Sequence, residues 1–184
     1  MLLKNRLDQY QRDVLIIAIA ACAIALAYIT AQIFQVEYWR HDDARYLTGQ
    51  DFLNRALWDG RWLNHLLRWP TAAVDPRLAW MIDYLAIGAG LYLIFARITQ
   101  DKLAATLLAL TGLLFPGLLA QATWPNTILP GAVCFLISVA LVHRFGWVCL
   151  PFVAIVQFAT MQYFYYILPL AFLPPLSKMS LREF

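Results

Sequence analysis

The chain has 184 residues, of which 62% are hydrophobic and 14% are charged, with a formal net charge of +3. The charged share is roughly half that of a typical soluble domain, and the mean hydropathy is +0.62. A soluble fold of this size cannot hide so much apolar surface, and the charge is too small and too dispersed for nucleic acid. We therefore predict an all-α, polytopic transmembrane helical bundle that forms a single membrane domain, residues 1–184, without a nucleic-acid partner.

Apolar runs along the chain predict about five or six membrane helices. The runs are residues 14–34, 78–98, 103–124, 127–142 and 147–176. Most reach the roughly 17 to 25 residues that a helix needs to cross a bilayer. Inside hydrocarbon each run must be helical, because unpaired backbone groups cost several kcal/mol there.

The first run, residues 14–34, follows Lys4, Arg6 and Arg12. We expect it to be a retained first helix rather than a cleaved signal, because it continues unbroken past Cys22. Positive charge in short loops sets topology, so the N-terminus is predicted to be cytoplasmic. Alternating crossings then make residues 35–77 external.

The later runs, within residues 78–176, contain two expected breaks. Pro116-Gly117 is expected to kink the third helix, while Gly88 and Gly90 permit close helix packing. The run 147–176 is longer than one straight span. We predict either two short helices broken near residues 157–162 or one long helix with a re-entrant portion, followed by a cytoplasmic tail, residues 177–184.

The external segment, residues 35–77, has a distinctive charge pattern. It holds six acidic residues and six arginines but no lysine: Glu37, Asp42, Asp43, Asp51, Asp59 and Asp75, with Arg40, Arg45, Arg55, Arg61, Arg68 and Arg77. Arginine without lysine favours bidentate binding of phosphate or carboxylate, because the guanidinium fork is planar.

Two helices are predicted within this external amphipathic segment. Residues 43–58 have a helical pattern that ends at Asp59-Gly60. A second helix is predicted over residues 61–69, with two opposed faces. The apolar face carries Trp62, Leu63, Leu66, Leu67 and Trp69, and the polar face carries Arg61, Asn64, His65 and Arg68. Such a helix is expected to lie in the headgroup layer.

Asp42 and Asp43 are the candidate catalytic pair. A carboxylate here could accept a proton from an attacking hydroxyl or hold a divalent cation such as Mg²⁺ or Mn²⁺. The alternative is helix capping, since Asp is favoured at a helix start. Adjacent residues point about 100° apart on a helix, so one of the two is expected to face a substrate.

Further candidates surround this pair or lie in the apolar runs. We expect a substrate-binding set of Arg40, Arg45, Trp58, Arg61, Trp62, Asp83, Gln162 and Tyr163. For the aromatic residues, the alternative is an interfacial anchoring belt. Asp83 is an ionisable group inside the second apolar run and a functional candidate by default; the alternative is an ion pair with Arg77. For Gln162 and Tyr163, the alternative is packing.

Three motifs resemble a known family. The external Asp42-Asp43 pair after a first helix, the run 58–63 with sequence Trp-Asp-Gly-Arg-Trp-Leu, and the later Met161-Gln162-Tyr163-Phe164 resemble the bacterial membrane glucosyltransferases of the GT-C superfamily that decorate O-antigen, the Gtr type II family. The resemblance covers the N-terminal part of that family, whose members carry further helices beyond this length.

The resemblance implies an inverting transfer of glucose, or a similar sugar, from a polyprenyl phosphate donor to a lipid-linked glycan on the periplasmic face of the bacterial inner membrane. Asp42 or Asp43 would be the base, and Arg61 would contact the donor phosphate. The alternatives are a non-catalytic subunit of a partner membrane chain and a component that transports or flips a lipid-linked sugar.

Overall fold

The computed structural model describes residues 2–35, 61–67, 73–121, 125–160 and 167–178, and these residues are almost entirely helical. The α-helices are α1 (Leu2–Gln35), α2 (Trp62–Leu66), α3 (Pro76–Thr99), α4 (Lys102–Leu113), α5 (Pro116–Gln121), α6 (Pro125–Phe145) and α7 (Leu150–Ala159). Short 3₁₀ turns cover Gly146–Cys149, Leu168–Phe172 and Leu176–Lys178. No strand occurs within the described ranges, so the all-α prediction is confirmed there.

Three helical stretches are long and apolar enough to cross a membrane. They are Asp8–Gln35, Pro76–Thr99 and Pro125–Ala159. The predicted third helix does not form one span, because α4 ends at Leu113 and α5 begins at Pro116. Proline disfavours a helical conformation at the residue before it, so the expected kink is a break at residues 114–115. A helix of 12 residues reaches only about 18 Å.

The turn between α3 and α4 is closed by its own residues. Gln100 adopts the left-handed conformation, with φ of 57°, and donates its backbone N–H to the Ala96 carbonyl. Asp101 then caps α4, because its Oδ1 accepts from the backbone N–H groups of Leu103 and Ala104 at 2.7 and 3.2 Å. Satisfied helix ends on both sides of a two-residue link keep α3 and α4 packed as a hairpin.

The core lies where α3 packs against α4 and α6. Gly90 approaches α6 so closely that an added Cβ would lie 2.5 Å from a ring carbon of Phe135, and the Phe135 side chain is fully buried. A Cβ on Gly88 would lie 3.0 Å from Leu113 of α4. The prediction that these glycines allow close packing is therefore confirmed.

We expect Gly90→Ala to lower the free energy of unfolding by about 1 to 2 kcal/mol. Overpacking a full core costs about 1 to 3 kcal/mol, and the gain in helix propensity returns less than about 1 kcal/mol. The loss should shrink in a Phe135→Leu background. Unfolding in detergent measures both effects. Gly117→Ala is the control, because its nearest neighbour, the Phe115 ring, is exposed and free to move. Equal losses at residues 90 and 117 would contradict the packing argument.

One end of the helical assembly, which we call the α2 end, gathers the last turn of α1, all of α2 and the first turns of α3 and α6. The Phe34 ring of α1 meets Trp80 of α3 edge-on, with ring centroids 5.7 Å apart. Asn126 at the start of α6 donates through Nδ2 to the Val74 carbonyl at 2.8 Å. These contacts hold the first turns of α3 and α6 next to each other.

The opposite end, which we call the tail end, gathers the start of α1, the α3–α4 turn and residues 167–178. Arg97 donates through a guanidinium N–H to the Ala171 carbonyl at 3.1 Å, and Ser177 bonds the Gln100 side chain at 3.0 Å. The last described residues therefore pack against the end of α3.

The stretch after α6 enters and leaves at this same end. The helix α7 has ten residues and extends about 15 Å, which is half of a bilayer core. Trp147 before α7 stacks on Phe172 after it, with ring centroids 4.3 Å apart. The helix ends at Ala159, inside the window predicted for a break. Residues 161–166, which distinguish two short helices from a re-entrant portion, lie outside the described residues.

Candidate ligand site at the α2 end

Three of the predicted site residues belong to the part of the chain that the structure describes, namely Arg61, Trp62 and Asp83. The others lie outside the described residues: Arg40, Asp42, Asp43, Arg45, Trp58, Gln162 and Tyr163. The predicted helix over residues 43–58 also lies outside them. The described residues place Arg61, Trp62 and Asp83 at one end of the assembly.

A buried amide attaches helix α2 to α6. Asn64 is 0% exposed, and its Nδ2 donates to the Thr127 carbonyl in the first turn of α6 at 3.1 Å. Trp62 and Leu66 point away from the protein and are exposed. Asn64 of the predicted polar face thus packs on the protein, and Trp62 and Leu66 of the predicted apolar face are turned outward, while Leu63 and Leu67 are partly buried. Arg61, directly before α2, is held beside this contact.

The Asn64 amide has one orientation that chemistry allows. The Thr127 carbonyl can only accept a hydrogen bond, so the amide nitrogen must face it. The Asn64 Oδ1 atom is then an acceptor that is buried and has no hydrogen bond within the described residues. A buried acceptor in that state costs about 1 to 3 kcal/mol.

Other buried polar atoms in the same half of the assembly share this property. The Nε of Arg61, the Nε1 of Trp80, the hydroxyl of Tyr84 and the Oε1 of Gln157 are buried and form no hydrogen bond with the described part of the chain. The rings of Trp80 and Tyr84 stack with centroids 4.3 Å apart. Together with Asn64 Oδ1, these atoms include both donors and acceptors of hydrogen bonds.

Asp83 lies in the second turn of α3 and is 3% exposed. It follows Trp80 by three residues and precedes Tyr84, so the carboxylate belongs to the same stretch as the stacked rings. An ionisable side chain buried in an apolar helix marks a functional candidate. Asp83 therefore remains a functional candidate beside the Trp80–Tyr84 stack of α3.

A second buried amide ties α7 to α6. Gln157 donates through Nε2 to the Ser138 hydroxyl at 3.0 Å, and both side chains are buried. Ser138 lies 11 residues after Thr127, which is three helical turns, so the two contacts occupy one side of α6. The helix α7 also touches α2. The side of α6 that bears Thr127 and Ser138 is therefore covered by α2 and α7 together.

Sequence reasoning missed Asn64, Asn126 and Ser138 as structural contacts. Asn126 lies at the edge of an apolar run and Ser138 lies inside one. A polar residue in such a position is a signal that could have identified both. Asn64 gave no such signal, because an asparagine on the polar side of an amphipathic helix is expected in water.

We expect Asn64→Leu to leave the free energy of unfolding within about 1 kcal/mol of the wild type, and Asn64→Asp to lower it by about 3 kcal/mol. Leucine gives up one hydrogen bond, worth about 0.5 to 1.5 kcal/mol, but also removes the unpaired Oδ1 acceptor, so the two effects offset each other, whereas a buried carboxylate cannot donate to the Thr127 carbonyl. The deficit of the aspartate variant should shrink at low pH, where a protonated carboxyl can donate. Denaturation in detergent at pH 5 and 8 measures this, and a leucine variant as unstable as the aspartate variant would contradict it.

Within the described ranges, no group of three His, Cys, Asp or Glu side chains could hold a metal ion. Asp42 and Asp43, the residues that would hold Mg²⁺ or Mn²⁺, lie outside those ranges. No family model matches the chain, and neither a curated protein nor a solved structure matches it.

Proposed function

We propose that the chain is a membrane glycosyltransferase, or the N-terminal module of one, that uses a sugar linked to polyprenyl phosphate. The sugar, glucose by the family resemblance, would be transferred to a lipid-linked glycan such as O-antigen. The main support for the proposal is the environment of Arg61. The Nε atom of Arg61 is buried and has no hydrogen bond in the described part of the chain. Arg61 directly precedes α2, which the Asn64 hydrogen bond attaches to α6.

The chemistry assigned to these residues is an inverting displacement. Asp42 or Asp43 takes the proton of the acceptor hydroxyl as its oxygen attacks the anomeric carbon. The bond between that carbon and the phosphate oxygen breaks, and the electron pair leaves with the polyprenyl phosphate. The Arg61 guanidinium stabilises the charge on the departing phosphate. Asp83 and the Trp80–Tyr84 stack supply polar and aromatic surface for the sugar, whereas Trp62, which points away from the protein, lies outside that surface.

The proposed location is the bacterial inner membrane, with the α2 end periplasmic and the tail end cytoplasmic. The three apolar stretches support a membrane location. The basic residues Arg12, Arg97, Lys102 and Arg144 all belong to segments at the tail end, which is the distribution that cytoplasmic loops have.

A second candidate is a non-catalytic subunit that works beside a partner membrane chain, including one that moves a lipid-linked sugar. It is favoured by α1, because the apolar window of that helix is 0% buried within the protein. No residue of that window is fully buried, although α1 contacts α4, so the helix has room for further neighbours as well as for lipid.

The experiment that separates the two is transfer of radiolabelled sugar from a polyprenyl phosphate donor in membranes that contain this chain alone. Label in the glycan above the level of empty membranes supports the enzyme. Flipping of a fluorescent lipid-linked sugar in liposomes without transfer supports the transport component. Activity that appears only after a second membrane chain is added supports the subunit.

A further inference from the structure

A cleft of about 440 Å³ lies at the tail end, far from the α2 end, between the start of α1 and the start of α4. Its lining includes Asp8, Arg12 and Leu15 from α1, with Asp101, Lys102 and Leu103 from the other side. None of these residues has a role in the proposed transfer reaction.

The charges in the cleft balance. Arg12 and Lys102 contribute two positive charges, and Asp8 and Asp101 contribute two negative charges. No ion pair joins these four side chains. The Asp101 carboxylate is already engaged through Oδ1 in capping α4. Asp8 makes no hydrogen bond with a described side chain, so the described lining offers two cationic groups and one carboxylate that is not used in capping.

The polarity of the cleft changes along the helices. The four charged side chains are exposed, whereas Leu15 and Leu103 are partly buried. Leu15 lies about one turn beyond Arg12 on α1, at the start of the apolar stretch that continues to residue 34. A ligand in this cleft therefore meets charge at one end and aliphatic side chains at the other, which is the order of a lipid headgroup and its acyl chains.

We propose that this cleft binds a phospholipid whose headgroup carries both a phosphate and a primary ammonium, the phosphoethanolamine type. Arg12 and Lys102 bind the phosphate, Asp8 accepts hydrogen bonds from the ammonium, and Leu15 and Leu103 contact the first methylene groups. The described side chains of the lining have zero net charge, which gives no advantage to an anionic lipid. A choline headgroup lacks the N–H groups that Asp8 needs. The inference rests on the proposed membrane location and not on glycosyl transfer.

The test is lipid binding to the purified full chain, measured by native mass spectrometry with phosphatidylethanolamine, phosphatidylcholine and phosphatidylglycerol added in turn. We expect the ethanolamine lipid to bind about three- to tenfold more tightly than either of the others, as exposed charge-assisted hydrogen bonds allow. Arg12→Ala should weaken all three lipids.

The decisive variant is Asp8→Asn, which should remove the preference for ethanolamine over choline and leave choline binding unchanged. Asp13→Asn is the matched control, because Asp13 lies on the same helix, accepts from Gln9 and does not line the cleft. Arg144→Ala is the control for Arg12→Ala, since Arg144 is an exposed cation outside the cleft.

Three results would overturn the proposal. Equal binding of the ethanolamine and choline lipids would remove the role of Asp8. The same loss in the Asp8 and Asp13 variants would show a general charge effect. Tightest binding of phosphatidylglycerol would show attraction of a basic surface to anionic lipid. Each result leaves the transfer assay, and therefore the proposed function, untouched.

Discussion

The variant in which Asp42 and Asp43 are both Ala should transfer sugar about 10² to 10⁴ times more slowly than the wild type. That range is what a positioned general base contributes. One single variant should carry most of the loss, because adjacent residues of a helix point about 100° apart and only one carboxylate can face the acceptor. The measurement is the initial rate of label transfer in membranes with matched amounts of each variant.

Asp51→Ala is the control for the aspartate variants, since it removes a carboxylate from the same external segment without touching the pair. Asp42→Asn and Asp43→Asn add a second test, because an amide keeps the shape and the capping ability but cannot accept the proton. Full transfer by both Asn variants and loss only in the Ala variants would mean that the pair caps a helix. Retained transfer by the double Ala variant would refute the assignment of the base.

Arg61→Ala should lower transfer by about 30- to 5,000-fold, which corresponds to the about 2 to 5 kcal/mol that loss of one buried charge partner costs. The effect should appear in the rate as well as in donor affinity, because the phosphate gains charge as the sugar leaves. The transfer rate of Arg61→Lys should fall between those of the wild type and Arg61→Ala, since lysine keeps the charge but loses the planar guanidinium fork. Transfer rates at several donor concentrations separate the two effects.

Arg77→Ala is the matched control for Arg61, because Arg77 is an exposed arginine at the same end, in the first turn of α3. Its loss should change transfer less than about threefold, as for an exposed charge. Equal losses at both positions would show that the general positive potential of the α2 end matters and that Arg61 has no special role. An Arg61→Ala variant with normal transfer would remove the phosphate assignment.

Much of the fold was predictable because hydrophobicity and helix-end chemistry act locally. The apolar runs predicted the long helices, the glycines at residues 88 and 90 predicted close packing, and the break in the last run was expected where α7 ends. The number of spans was less predictable. Length in an apolar run does not reveal whether a proline starts a new helix, as Pro116 does here.

The contacts of the candidate site could not be predicted in the same way. Asn64 bonds a carbonyl 63 residues away, and Gln157 bonds a hydroxyl 19 residues away. Such pairings depend on which helices become neighbours, and nothing in the local pattern encodes that. The amphipathic pattern of α2 indicated its two faces, but a polar face can be turned to water or to a polar patch on protein. The structure selects the second option.

The buried bond between α7 and α6 has a consequence for biogenesis at the proposed membrane location. As an independent stop-transfer helix, α7 would carry Gln157 into lipid with an unpaired amide. Its hydrogen-bond partner, Ser138, lies on the helix synthesised just before it. We therefore expect α6 and α7 to leave the translocon as one unit, so that α7 folds against protein that is already in the bilayer.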